Sequence, residues 1–175
     1  AGIQTAAAQS YDWKLQTVWS TPATNDGLKL FADNVKKETN GKVNIKVYGA
    51  NELVKIEGTL AAVQSGAIQI ACSDGPYNAG QIPEAKVELG LPFTWRNLGE
   101  ACEEWTKYGL RELIQESYAE KGIRLITIQP ASEYVLMSTK PVRKVEDIKG
   151  LKIRTVGLTA KVYQELGASP VNIPG

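Results

Sequence analysis

The segment KVNIKVYG, residues 42–49, places Val43, Ile45 and Val47 two positions apart. That is the period at which the side chains of a β-strand return to the same face. Before it, Leu28, Leu30, Phe31 and Val35 fall broadly on one face of a helix, with Thr24 or Asn25 as its cap and Asn40-Gly41 as its stop. Earlier still, WKLQTVWS (residues 13–20) alternates apolar and polar residues and halts at Thr21-Pro22. A strand, a helix and a strand joined by short links form a crossover unit, which commits the chain to a mainly parallel sheet with right-handed connections.

The alternation continues. Leu60, Val63 and the alanines between Gly58 and Gly66 suit a second helix, followed by the short apolar run AIQIAC, residues 67–72. Residues 73–93 are dense in glycine and proline and read as a long irregular connection, a kind of segment that compact domains keep mainly for function. One helix is expected over residues 99–118, with Trp105, Tyr108, Leu110, Leu113 and Ile114 as its apolar surface. Strands are then expected at 122–130, 133–142 and 151–156, a helix at 158–167, and a last extended piece at 169–174. Ligands of such sheets sit beyond the carboxyl ends of the strands.

At 175 residues and 43% hydrophobic, the chain can bury a core as one large domain or two small ones. Twenty basic against nineteen acidic residues give no net field to favour nucleic acid or an anionic membrane. No run approaches the roughly 20 apolar residues of a membrane span. Residues 1–10 are small and polar without a signal-peptide core, and fit either the start of a processed exported chain or an appended remnant. Cys72 and Cys102 match no compact metal spacing; two buried free thiols are expected, with a disulfide as the alternative.

Several chemistries lack their residues. No GxGxxG follows the first strand, and neither GxxxxGK[ST] nor GxSxG occurs. With no histidine, a Ser-His-Asp arrangement is impossible and the usual proton shuttle at neutral pH is absent. No cofactor or metal is called for. Asp33, Glu52, Glu84, Glu88 and Asp147 form no catalytic pair and read as surface charge. Asp74, in ACSDGPY, reads either as a turn residue or as a polar contact at a cleft rim, and Tyr77 carries the same two readings. Trp95 in LPFTWRN suits a pocket wall or the sealing of a helix end. Arg154 in LKIRTV is a solvent-side charge, half of an internal salt bridge, or a planar fork for a ligand carboxylate.

The order of VQSGAIQIAC, of the LPF at residues 91–93, and of STKPVRKVEDIKGLKIRT leading through LTAKVYQELGASPVNIP resembles the solute-binding proteins of tripartite ATP-independent periplasmic (TRAP) transporters, the dicarboxylate-binding component family. The resemblance runs from about Trp13 to Gly175. It implies a periplasmic-binding-protein-like two-lobed α/β fold, truncated here in its second lobe. Residues 1–10 would be a flexible tail, 11–131 the first lobe, and 132–175 a hinge-crossing strand with the beginning of the second lobe. Arg154 would pair with a ligand carboxylate in the cleft, with Ser73, Asp74, Tyr77, Trp95 and Tyr134 around it. Relatives that bind sialic acid carry an arginine where Tyr134 falls, which favours a small monocarboxylate over an acidic sugar. The implied function is periplasmic capture of an organic acid and its delivery to the transporter's membrane subunits, without catalysis, membrane insertion or nucleic acid. A ligand-sensing receptor module, or an enzyme acting on a small acid, would use the same cleft.

Overall fold

The structure, a computed structural model, describes residues 10–91, 94–128, 135–155 and 157–171. The chain divides into two compact units, Ala1–Tyr77 and Asn78–Gly175.

The first unit is built on a three-stranded parallel sheet in the order β2-β1-β3. Strand β1 (Tyr11–Thr17) pairs with β2 (Val43–Tyr48) from Tyr11↔Val43 to Gln16↔Tyr48, and with β3 (Ile70–Cys72) from Leu15↔Ile70 to Thr17↔Cys72. Its central position buries consecutive residues, Leu15, Gln16 and Thr17, as expected of a parallel strand covered on both faces. Helix α1 (Pro22–Glu38) makes the first crossover. Its cap is Thr21, not Thr24 or Asn25: Pro22 is preset for the first turn, and the Thr24 N–H donates to Thr21 Oγ1 at 3.3 Å. Leu28, Phe31, Ala32 and Val35 turn inward at helical spacing, whereas Leu30, two residues past Leu28, projects into solvent. Asn40 and Gly41 take left-handed conformations and end the helix, with the Gly41 N–H donating to Lys36 O at 2.8 Å. A 3-10 turn (Ile56–Gly58) leads into α2 (Thr59–Gln64), which buries Leu60 and Ala62.

The segment expected to be irregular, residues 73–93, is partly helical. It holds α3 (Gly75–Asn78) and a 3-10 turn (Pro83–Val87) begun by its proline. In the second unit the helix expected over 99–118 is two helices, α4 (Leu98–Lys107) and α5 (Leu110–Ala119). Gly109 separates them at φ +84°, outside any helix. Asn78 and Tyr118, both buried, share a 2.7 Å hydrogen bond.

Two expected strands do not form among the described residues: neither 122–128 nor 135–142 is in a sheet. An apolar pattern makes a strand only when a neighbour supplies a ladder. Here helix α5 supplies hydrogen bonds instead, with Gln115 Oε1 accepting from Leu125 N at 2.8 Å and Arg111 donating to Ile126 O at 3.1 Å. Val135 and Met137 are strongly exposed.

Within the second unit the last elements share a small core of their own. Strand β4 (Lys152–Arg154) lies parallel to β5 (Ser169–Val171), with α6 (Gly157–Glu165) between them in the chain. Ile148, Ile153 and Ala168 are its core, covered by Val142, Leu151, Tyr163 and Leu166. Asp147 is structural here: its carboxylate accepts from Arg143 N at 2.9 Å and Lys144 N at 3.2 Å, closing the 3-10 turn Val145–Ile148.

Candidate functional site

The carboxyl ends of β1 and β3 are tied together. Thr17 stands opposite Cys72, and the Val18 N–H donates to Cys72 O at 2.9 Å. The chain leaves β3 into Ser73, Asp74 and Tyr77, which therefore begin where a parallel sheet presents its ligands. Asp74 is half-buried and accepts a hydrogen bond from the Trp19 side chain. Burial pushes its carboxyl above the ordinary value of 3.8, and the Trp19 bond opposes that rise. Asp74 also has the turn role open to it in the sequence, since its carbonyl accepts from Tyr77 N at 3.1 Å. Tyr77 is 44% exposed. Ser73 Oγ is buried and has no hydrogen-bond partner among the described residues.

Cys72 and Cys102 are free thiols, each half-buried. Burial pushes the Cys72 thiol up, a hydrogen bond with Thr17 opposes this, and the charge of Asp74 adds to the rise. Thr17 also accepts from Trp19 N at 3.0 Å. Sequence reasoning missed both Trp19 and Gln16. The available signal was position: each lies at the carboxyl end of the central strand or just past it. Gln16 is fully buried, and its side chain accepts from Leu53 N and Val54 N at 2.8 and 3.0 Å while donating to Val54 O at 2.8 Å. It thereby fixes the loop that follows β2.

Trp95 and Arg154 belong to the second unit. Trp95 lies just before α4. It stands two residues before Asn97, whose side chain caps α4 by accepting from Glu100 N at 3.1 Å. Its ring also lines a cavity of about 200 Å³ with Val87, Gly90, Leu91, Thr94, Glu104 and Leu110. A Cβ at Gly90 would lie 2.6 Å from Trp95 Cζ3, so the ring rests directly on the glycine. Trp95 Nε1 is buried with no hydrogen-bond partner among the described residues. Arg154 closes β4 and is exposed, while its strand neighbour Ile153 is buried. Its backbone is held in register by Val171, whose carbonyl accepts from Thr155 N at 3.1 Å. Tyr134 lies outside the described residues. The structure thus brings Ser73, Asp74 and Tyr77 together in one run and places Trp95 and Arg154 on separate supports in the other unit. A further open depression of about 560 Å³ along α5 holds none of these residues.

Residues 16–175 match the family described as bacterial extracellular solute-binding protein, family 7. The chain belongs to that family. Among curated family relatives, a monocarboxylate 2-oxoacid-binding periplasmic protein of Nostoc sp. is 29% identical, over 93% of this chain and 45% of its own length. Among solved structures, a TRAP periplasmic solute-binding protein from Pseudoalteromonas atlantica with bound sodium and pyruvate is 30% identical, with a TM-score of 0.76 over 95% of this chain and 51% of that one. DctP7 of Bordetella pertussis, an extracytoplasmic solute receptor binding pyroglutamic acid, is 25% identical, with a TM-score of 0.81 over 94% and 54%. The chain spans about half the length of the relatives it matches. Its α/β fold is that of the TRAP solute-binding proteins, a transport family.

Proposed function

We propose that this protein captures a small organic carboxylate in the periplasm and delivers it to the membrane subunits of a TRAP transporter. Arg154 fixes the ligand carboxylate through its planar, bidentate fork. Ser73, Asp74, Tyr77, Trp95 and Tyr134 take the rest of the molecule. In this reading residues 11–131 and 132–175 contribute the two lobes of the binding protein, and a small monocarboxylate is favoured over an acidic sugar. No bond is made or broken, because no general base, nucleophile or cofactor is assigned to the site.

The observation that carries the reading is the placement of Arg154. A three-residue strand with one buried side chain puts Arg154, an exposed residue, at the strand's carboxyl end, in a family whose relatives include binders of pyruvate, 2-oxoacids and pyroglutamate. No helix among the described residues is long and apolar enough to cross a membrane.

The test uses the protein expressed at the full length of its gene. Mass spectrometry of small molecules released on denaturation, followed by calorimetry with the acid found, is expected to give stoichiometric binding of a carboxylate and no product on prolonged incubation. Turnover of the acid, or a released ligand with no carboxylate, contradicts the proposal.

A further inference from the structure

The described residues that line the cavity beside Trp95 all belong to the second unit. Its walls are fixed by local structure. The Trp95 ring rests on Gly90, which is at φ +77°. The chain just before Trp95 is turned by two hydrogen bonds of 3.0 Å each: Thr94 N donates to Leu91 O, and Leu91 N donates to Thr94 Oγ1. Gly109 at φ +84° separates α4 from α5, and Glu104 of the one helix lines the same cavity as Leu110, the first residue of the other. Val87, Leu91 and Leu110 supply hydrocarbon, and Glu104 is the one charged residue among the described residues that line the space. Glu104 is half-buried and has no hydrogen bond or ion pair among the described residues. Its own helix accounts for that: Lys107, three residues on, is held by Glu103 at 2.8 Å, and Arg96 by Glu100 at 2.8 Å. A second polar group of the cavity's residues is also unanswered, since Trp95 Nε1 is buried without an acceptor among the described residues.

A carboxylate drawn partly out of water is best compensated by a cation that also donates hydrogen bonds to it. Indole is the aromatic ring that attracts cations most strongly. The cavity's volume of about 200 Å³ corresponds to about six or seven non-hydrogen atoms, at the ~30 Å³ that a water molecule occupies in the liquid. We infer that this cavity is a binding site for a small organic ammonium ion, with its charge against Glu104 and its alkyl body against Trp95, Val87, Leu91 and Leu110. An anion would meet a charge of its own sign there, and a neutral molecule of the same shape would leave the carboxylate uncompensated. The inference goes beyond carboxylate capture and shares only Trp95 with it.

The experiment titrates the protein at the full length of its gene with isobutylammonium, isobutanol and isobutyrate. The readout is the nuclear magnetic resonance signal of the Trp95 indole N–H, identified by its loss in Trp95→Phe. Isobutylammonium is expected to shift that signal saturably and to bind at least about tenfold more tightly than isobutanol, while isobutyrate leaves the signal in place. Glu104→Gln keeps the shape and removes the charge, and should bring the ammonium to within about threefold of the alcohol. Leu110→Trp fills the cavity and should remove both responses, and near-ultraviolet circular dichroism checks that both variants fold. An ammonium that binds no more tightly than the alcohol, or an undiminished preference in a folded Glu104→Gln, overturns the inference. Carboxylate capture is measured separately, by calorimetry with the acid recovered from the protein. A saturable ammonium response supports the inference even in a protein that captures no carboxylate, and its absence in a protein that does capture one overturns this inference alone.

Discussion

Replacing Gln16 with leucine tests the link between the central strand and the loop beyond β2. The substitution nearly conserves volume at a fully buried position and removes three hydrogen bonds, to Leu53 N, Val54 N and Val54 O. Each such bond contributes about 0.5–1.5 kcal/mol net, and a buried group left without its partner costs about 1–3 kcal/mol. Leu53 is 37% exposed and Val54 half-buried, so water re-enters part of the loop and lowers that penalty. The apolar leucine gains something in return at a site enclosed by sheet and loop. These terms together leave a loss of about 2–3 kcal/mol. Urea denaturation followed by far-ultraviolet circular dichroism should show this as a lower midpoint at constant slope. Hydrogen exchange should show the Leu53 and Val54 amides losing protection first. A loss under about 0.5 kcal/mol, with both amides still protected, would refute the claim that Gln16 holds the loop.

Asp74→Asn should change stability in a pH-dependent way. Because the folded-state pKa of Asp74 is raised, its favourable contribution is fully present below 3.8 and is lost as pH rises through the folded value. The asparagine variant should therefore gain on the wild type as pH rises across that window; a urea-measured difference that moves the other way contradicts the burial argument. Gly90→Ala would force a Cβ at φ +77° to within 2.6 Å of the Trp95 ring and should cost about 1–3 kcal/mol, with a shift in tryptophan emission. Unchanged stability and emission would mean that the ring does not rest there. Cys72, its pKa raised chiefly by burial, should alkylate slowly at neutral pH and faster when the protein is unfolded; equal rates contradict its placement.

Those parts of the fold that depend on local pattern were legible. The period-two run around Ile45 and the Asn40-Gly41 stop follow from rules acting over a few residues, and the parallel pairing follows from the strand–helix alternation that those rules build. The errors arose where a neighbour distant in sequence decides. Residues 122–128 carry a strand's composition, but Gln115 and Arg111 of α5 take up hydrogen bonds that a ladder would otherwise use. Gly109 breaks a helix whose apolar spacing continues across it, because periodicity does not register a single positive φ. The site divides in the same way. Asp74 and Ser73 stand out as candidates by their place after a strand, and Trp95 by its motif. Trp19 and Gln16 act through contacts with residues about 40 to 55 positions away, which no spacing rule reveals. For Arg154 the chemistry of the residue admitted several roles, and the resemblance of the surrounding motif selected one.

The central claim is that Arg154 holds the ligand's carboxylate. Its direct test is titration calorimetry of Arg154→Ala and Arg154→Lys against the acid recovered from the wild-type protein. Removing the guanidinium leaves the ligand charge without its partner, and such truncations cost about 2–5 kcal/mol, or roughly thirty-fold to several thousand-fold in affinity. Lysine, a point charge without the fork, should recover only part of the loss. An alanine variant that binds the acid within about threefold of wild type would contradict the account.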